Sequence, residues 1–490
     1  MISKKRQSGV LLHITSLPNK YGIGDIGPCT YKMIDQLVEM GQSLWQILPT
    51  NPPDNHNCPY SASSAFANNP YLISPELLVQ DNLLSKNDLN DVPNFSRNSV
   101  DFNQVILWKD LLFKKVIHQF RHQQFMHKEF DAFCNENGFW LNDFALFQVL
   151  SNYHQGDDWI KWDHKYKTRS KPALDSFEEK YFDEIDAVKI LQFLFDLQWR
   201  QVRHYAKSQG VQLIGDIPIY IAYNSVDVWA NKHLFKLNEF GGMTAQSGCP
   251  PDYFIKDGQV WGHPLYDWEA HKSEGYKWWI NRLRHLFNYV QIVRIDHFNG
   301  FVKYWEIPAT EKTGKNGLWI QGPQDALFEK IYGELDSPLI MAEDLGGASE
   351  EAIPLREKFN IPGMKILQMS LENDEPFSAV DPNTVVYTGT HDNDTIVGWY
   401  NDSPQEQINA KPILNLNGKA VQWPFIEYTL NSKANTAIIP MQDILGLDSN
   451  SRMNIPGVLE HNWEWRLSED QLTNDIKDIM KKLTLQSNRV

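Results

Sequence analysis

The residues best equipped for chemistry are three acids, each closing a short apolar run. Asp296 ends Ile292-Val293-Arg294-Ile295-Asp296, Glu343 ends Leu339-Ile340-Met341-Ala342-Glu343, and Asp392 follows Val385-Val386-Tyr387-Thr388-Gly389-Thr390-His391. Such runs read as buried strands, with the acid placed where the strand opens into a loop. Arg294 and Asp296 are two residues apart, so on a strand their side chains share a face. A guanidinium there is expected to depress the Asp296 pKa and keep the group ionised, as a nucleophile must be. Glu343 needs the reverse, a setting that keeps it protonated; Met341, Ala342 and Asp344 are the neighbours that could provide it. Asp392, beside His391, could hold sugar hydroxyls next to the reacting carbon. One ionised and one protonated carboxyl flanking a bond suit glycosidic cleavage, and a closely spaced pair acts with retention through a covalent glycosyl-enzyme. A lone strand-end acid is more often a turn former or helix cap, and Asp344 and Asp394 are read that way, Asn393-Asp394-Thr395 as the cap of the next helix.

Rival chemistries lack their signatures. There is no HExxH or close His pair for zinc, no GxSxG elbow, and no GxGxxG or GxxxxGK loop for a nucleotide. No zinc site is expected.

Elements must then bring the three strand ends together. Further strand signals lie at Gly9 to Ile14, Leu44 to Leu48, Val211 to Asp216 and on to Tyr220, Met364 to Met369, and Ala437 to Pro440, making eight in all. Helical patterns alternate with them, among them Tyr31 to Met40, Tyr276 to Val290 and Ala326 to Tyr332. Strand and helix in eightfold alternation predict an α/β fold, a (β/α)8 TIM barrel whose chemistry sits at the C-terminal face. We expect residues 1–490 to form one catalytic unit with two insertions on that face. Residues 71–212 read as a mostly helical insertion. Residues 222–290, which begin rich in Gly and Pro, read as a loop-rich insertion over the active site.

The whole chain sets outer limits. It has 490 residues, 42% of them hydrophobic, and a formal net charge of −15. An acidic chain is a poor partner for nucleic acid or for an anionic membrane surface, and no apolar run is long enough to span a bilayer. The four cysteines are scattered and read as free thiols of a reducing compartment, so a cytoplasmic location is expected. Seventeen Trp, nineteen Tyr and twenty-five Phe exceed the usual needs of a core. The excess fits a carbohydrate groove, where sugar C–H faces stack on rings.

Val293-Arg294-Ile295-Asp296-His297-Phe298, Met341-Ala342-Glu343-Asp344-Leu345-Gly346 and Tyr387-Thr388-Gly389-Thr390-His391-Asp392-Asn393-Asp394 closely resemble signatures of the amylomaltases, the 4-α-glucanotransferases of glycoside hydrolase family 77. The resemblance extends to Trp45-Gln46-Ile47-Leu48-Pro49, Gly215-Asp216-Ile217-Pro218-Ile219-Tyr220, Pro250-Pro251-Asp252-Tyr253-Phe254 and Asn462-Trp463-Glu464-Trp465-Arg466, and so covers essentially the whole chain. It implies Asp296 as nucleophile, Glu343 as general acid/base and Asp392 as transition-state stabiliser. It also implies that Tyr60, Asp216, Arg294, His297 and His391 line the donor-sugar subsite. Gln259 and Trp261 would shape the acceptor side, with Tyr253 and Phe254 on a loop over the site. The implied reaction moves α-1,4-glucan segments between maltooligosaccharides or glucans, with no cofactor. An α-1,4-glucan hydrolase on the same barrel, or a silent glucan-binding protein, are the alternatives. The chain departs from the family pattern in the loop Thr50 to Ser61, where Ser61 replaces a common Gln and Asn55 a frequent aromatic. His263 also stands where Asn is usual.

Overall fold

In the computed structural model the described residues are 5–489, apart from 124–125, 252–255, 348, 374, 376, 403 and 412–419. Eight parallel strands run in chain order around a barrel: β1 (Gln7–Leu11), β2 (Leu44–Gln46), β3 (Gln212–Pro218), β4 (Ile292–Asp296), β5 (Ile340–Ala342), β6 (Gly363–Ile366), β7 (Thr384–Tyr387) and β8 (Thr436–Pro440). The sheet pairs from β6 through β8 and β1 to β5. Between β5 and β6 the ring is completed by Ala342 N–H donating to Pro362 O at 2.9 Å. This is the (β/α)8 barrel expected from the alternating pattern, and each of the eight sequence signals yields a strand.

Parallel strands covered by helices must be apolar on both faces. Accordingly Val293, Ile295, Met341, Ala342, Val385, Val386, Ile438 and Ile439 are all buried. Gly9 allows β1 and β2 to approach closely: a Cβ there would stand 2.3 Å from Leu44 O. The sequence overextends several strands at their C-terminal ends: β1 stops at Leu11 and β2 at Gln46. β6 stops at Ile366 and a helix, Leu367–Glu372, takes over before Met369.

Residues 71–212 include the helices Pro75–Gln80, Phe102–His122, His127–Tyr153, Lys171–Lys180 and Phe182–Ser208. The last of these leads into β3 and packs on it, on the helix Pro28–Glu39, and on the two long helices before it. Residues 222–290 hold more regular structure than a loop reading allows. The strands Ala245–Cys249 and Gln259–Pro264 join Lys303–Pro308 and Leu318–Gln321 in a four-stranded antiparallel sheet. The glycines that read as loop formers have other uses here. A Cβ on Gly248 would lie 2.1 Å from Gln259 O across the pair, and Gly262 has φ +75° beside an irregularity in the register. Among the described residues no helix is long and apolar enough to cross a membrane, and none of the four cysteines forms a disulfide.

Candidate active site

β3 and β4 pair so that Asp216 lies opposite Arg294 and Pro218 opposite Asp296. Cross-strand neighbours on one face touch, and a charged cluster follows directly from this register. Arg294 Nη1 donates to Asp216 Oδ1 and Oδ2 at 2.8 and 2.7 Å and stands 2.9 Å from Asp296 Oδ1. The Tyr60 hydroxyl donates to Asp216 Oδ2 at 2.7 Å. Asp216 and Arg294 are fully enclosed, with side-chain exposures of 0% and 3%, whereas Asp296 keeps 27% and opens to the cleft. Thus Asp216 balances the buried guanidinium, and Asp296 is left with a face free to react.

Glu343 follows β5 and is fixed by backbone N–H groups just after β4 and just after Glu343 itself. His297 has φ 50°, a left-handed turn directly after Asp296 that aims its N–H at Glu343 Oε2, 2.6 Å away. Leu345 N–H donates to Glu343 Oε1 at 3.1 Å. Burial raises the Glu343 pKa to about 8, and the charge of Asp296 drives it the same way. Burial also raises Asp296, to about 6, against the opposing pull of Arg294. The expected net depression at Asp296 is therefore corrected: Arg294 acts in that direction, but desolvation in the pocket outweighs it. What survives is the ranking, with Asp296 losing its proton before Glu343. The like charge acting on Glu343 is also Asp296 rather than Asp344, which faces away, accepts Met364 N–H at 2.9 Å and pairs with Arg356 at 2.8 Å.

The third acid sits on the loop after β7. The His391 ring stacks on Tyr60, centroids 4.9 Å apart and planes 14° from parallel, and Trp463 tilts against both at 5.9 and 5.8 Å. His391 Nε2 is 3.4 Å from Asp392 Oδ2. Asn454 Nδ2 donates to Asp392 Oδ1 at 2.6 Å, and Arg452 Nη2 donates to the Asp392 carbonyl at 2.5 Å. Within Asn393-Asp394-Thr395 it is the Thr395 hydroxyl that caps the following helix, accepting Gly398 N–H at 3.1 Å. Asp394 instead accepts Ser449 Oγ and Thr395 N–H, both at 2.7 Å.

On the side of the antiparallel sheet, Trp261 meets the His297 ring edge-on at 4.9 Å and donates its indole N–H to Gln259 Oε1 at 3.0 Å. Tyr220 closes this corner, 6.2 Å from Trp261 and 6.4 Å from His297. Burial lowers the His297 pKa to about 4, which keeps its imidazole neutral. Tyr253 and Phe254 lie outside the described residues. Among the described residues no group of three His, Cys, Asp or Glu is arranged to hold a metal ion.

The structure thus links Tyr60, Asp216, Arg294, Asp296, His391 and Asp392, joins Glu343 to them through His297, and sets Gln259 and Trp261 alongside. Sequence reasoning gave no role to Asn454, Arg452 or Trp463. They arrive on a C-terminal segment folded back over β7, and only the Asn462-to-Arg466 motif hinted at it.

The profile of a family described as 4-alpha-glucanotransferase matches residues 12–473. The 4-alpha-glucanotransferase of Synechocystis sp. is 42% identical over 483 residues, covering 96% of this chain and 95% of its own. That of Streptococcus pneumoniae serotype 4 is 41% identical over 497 residues, covering 99% and 98%. Among solved structures, the amylomaltase from Streptococcus agalactiae in complex with acarbose superposes with a TM-score of 0.96 at 34% identity, covering 99% of this chain and 100% of the other. The amylomaltase from Corynebacterium glutamicum shares the fold, with a TM-score of 0.81 at 18% identity over 98% of this chain and 75% of the other.

Proposed function

The chain belongs to glycoside hydrolase family 77, the 4-alpha-glucanotransferases, and on that premise we propose how its residues carry out the transfer of α-1,4-glucan segments from one glucan to another. Asp296, ionised, attacks the anomeric carbon of the donor. Glu343, protonated, gives its proton to the departing glycosidic oxygen. Asp392 holds hydroxyls of the donor sugar as positive charge builds at the ring, and Arg294, Asp216, Tyr60 and His391 fix the pocket around that sugar.

Formation of the ester on Asp296 removes the negative charge that helped keep Glu343 protonated. The Glu343 pKa falls at the moment it must become a base. It then takes the proton of an incoming sugar 4-hydroxyl, and the acceptor oxygen displaces Asp296 with overall retention. Gln259 and Trp261 flank the acceptor side. Excluding water from the ester until an acceptor arrives separates transfer from hydrolysis.

The observation that carries this reading is the unequal pair: Asp296 held by Arg294, and Glu343 raised above it by burial and by Asp296. Incubation of the purified protein with maltotriose tests it. We expect products both longer and shorter than the substrate, and Asp296→Asn should abolish them. Shorter sugars alone, with rising reducing ends, would favour the hydrolase instead.

A further inference from the structure

The loop presenting His391 and Asp392 runs from Thr388, at the end of β7, to the helix Ile396–Asp402. One side chain holds both its ends. Asp443, in the helix Met441–Leu445 that follows β8, accepts the Thr388 hydroxyl on Oδ2 at 2.5 Å and the Ile396 N–H on Oδ1 at 2.8 Å. Asp443 and Thr388 are 1% and 0% exposed, so water does not stand in for either bond. A void of only ≈ 20 Å³, lined by His13, His391, Asn393, Asp394 and Asp443 among others, borders the loop. The two bonds to Asp443 fix the span between the loop's ends.

We propose that Asp443 is a positioning residue for glucan transfer, clipping the two ends of this loop together so that Asp392 and His391 meet the donor sugar. It touches no substrate itself. The inference rests on the role of Asp392 proposed above. Because misplacing a reacting group slightly can cost up to about a hundredfold in rate, an effect on kcat well beyond that on stability is expected.

Two series of variants test this, with kcat, KM for maltotriose and thermal melting measured for each. Asp443→Ala should lower kcat by about ten- to a hundredfold at a temperature where the protein remains folded, with a smaller change in KM. Asp443→Asn should recover most of the rate, since its carbonyl oxygen can accept Ile396 N–H while its NH₂ donates to the Thr388 oxygen. Should Asp443→Ala fail to fold, Thr388→Val removes one tether without changing side-chain shape and should lower kcat, while Thr388→Ser restores the hydroxyl and the rate. Folded Asp443→Ala or Thr388→Val enzyme with kcat within twofold of wild type overturns the proposal. The premise is checked separately by Asp392→Asn. If that variant keeps wild-type kcat, the loop carries no chemistry and the Asp443 proposal falls with it, whereas loss of activity there with intact Thr388→Val activity overturns the tether alone.

Discussion

At the scale of residues, the account turns on which of two neighbouring carboxyl groups keeps its proton. Their order follows from placement: Asp296 faces Arg294 at 2.9 Å, whereas burial and the Asp296 charge raise Glu343 against two backbone N–H donors that favour its ionised form. In the proposed mechanism the reactive form has Asp296 ionised and Glu343 protonated. As pH rises through about 6, Asp296 loses its proton and kcat/KM should climb; as pH rises through about 8, Glu343 loses its own and kcat/KM should fall. The two limbs belong to the coupled pair. With a glycosyl fluoride donor, whose departure needs no acid, Glu343→Gln should keep the acid limb in place and lose the alkaline one. An alkaline limb that persists in this variant would assign it to another group. Arg294, at i−2 from Asp296, was legible in the sequence as a partner, but the outcome of its contest with desolvation was not, because burial depth is set by the whole pocket. Asn454 and Asp443 were illegible for a related reason: both act on the Asp392 loop from chain segments 47 to 62 residues away.

At the scale of elements, the barrel was readable because each strand is enclosed on both faces and therefore largely apolar apart from the polar residues at the site. That property marks a strand without any partner being known. The antiparallel sheet was not readable. Its Gly248 and Gly262 serve close approach and an irregular register, and both roles resemble a loop in sequence. The sheet matters to function because one of its strands, Gln259–Pro264, carries Trp261 to the His297 ring. If this wall keeps water from the ester intermediate, Trp261→Ala should raise the ratio of glucose released by hydrolysis to glucan transferred, by about tenfold, while the protein melts close to wild type. An unchanged ratio would show that Trp261 takes no part in excluding water.

At the scale of the whole molecule, the chain's last described residue closes the barrel near its first strand. Arg489, fully buried, donates to the carbonyls of Gln7, Leu430, Ser432, Ala434 and Asn435 at 2.7 to 3.3 Å. Arg6 also donates to Leu430, Ser432 and Ala434, so Arg489→Ala removes one of two donors there and should destabilise the fold by about 2 kcal/mol, read as a lower urea midpoint, with kcat little changed while the protein is folded. A wild-type midpoint would mean that the segment holds without the clasp. The central claim, however, concerns one bond, between Asp296 and a sugar. The most direct measurement is mass spectrometry of Glu343→Gln treated with an α-maltosyl fluoride: the fluoride leaves without an acid, and the missing base slows release. The account predicts a protein heavier by one maltosyl group, with the added mass on the peptide containing Asp296. A stable adduct on any other residue, or turnover of the fluoride through an enzyme that never carries sugar, would contradict it.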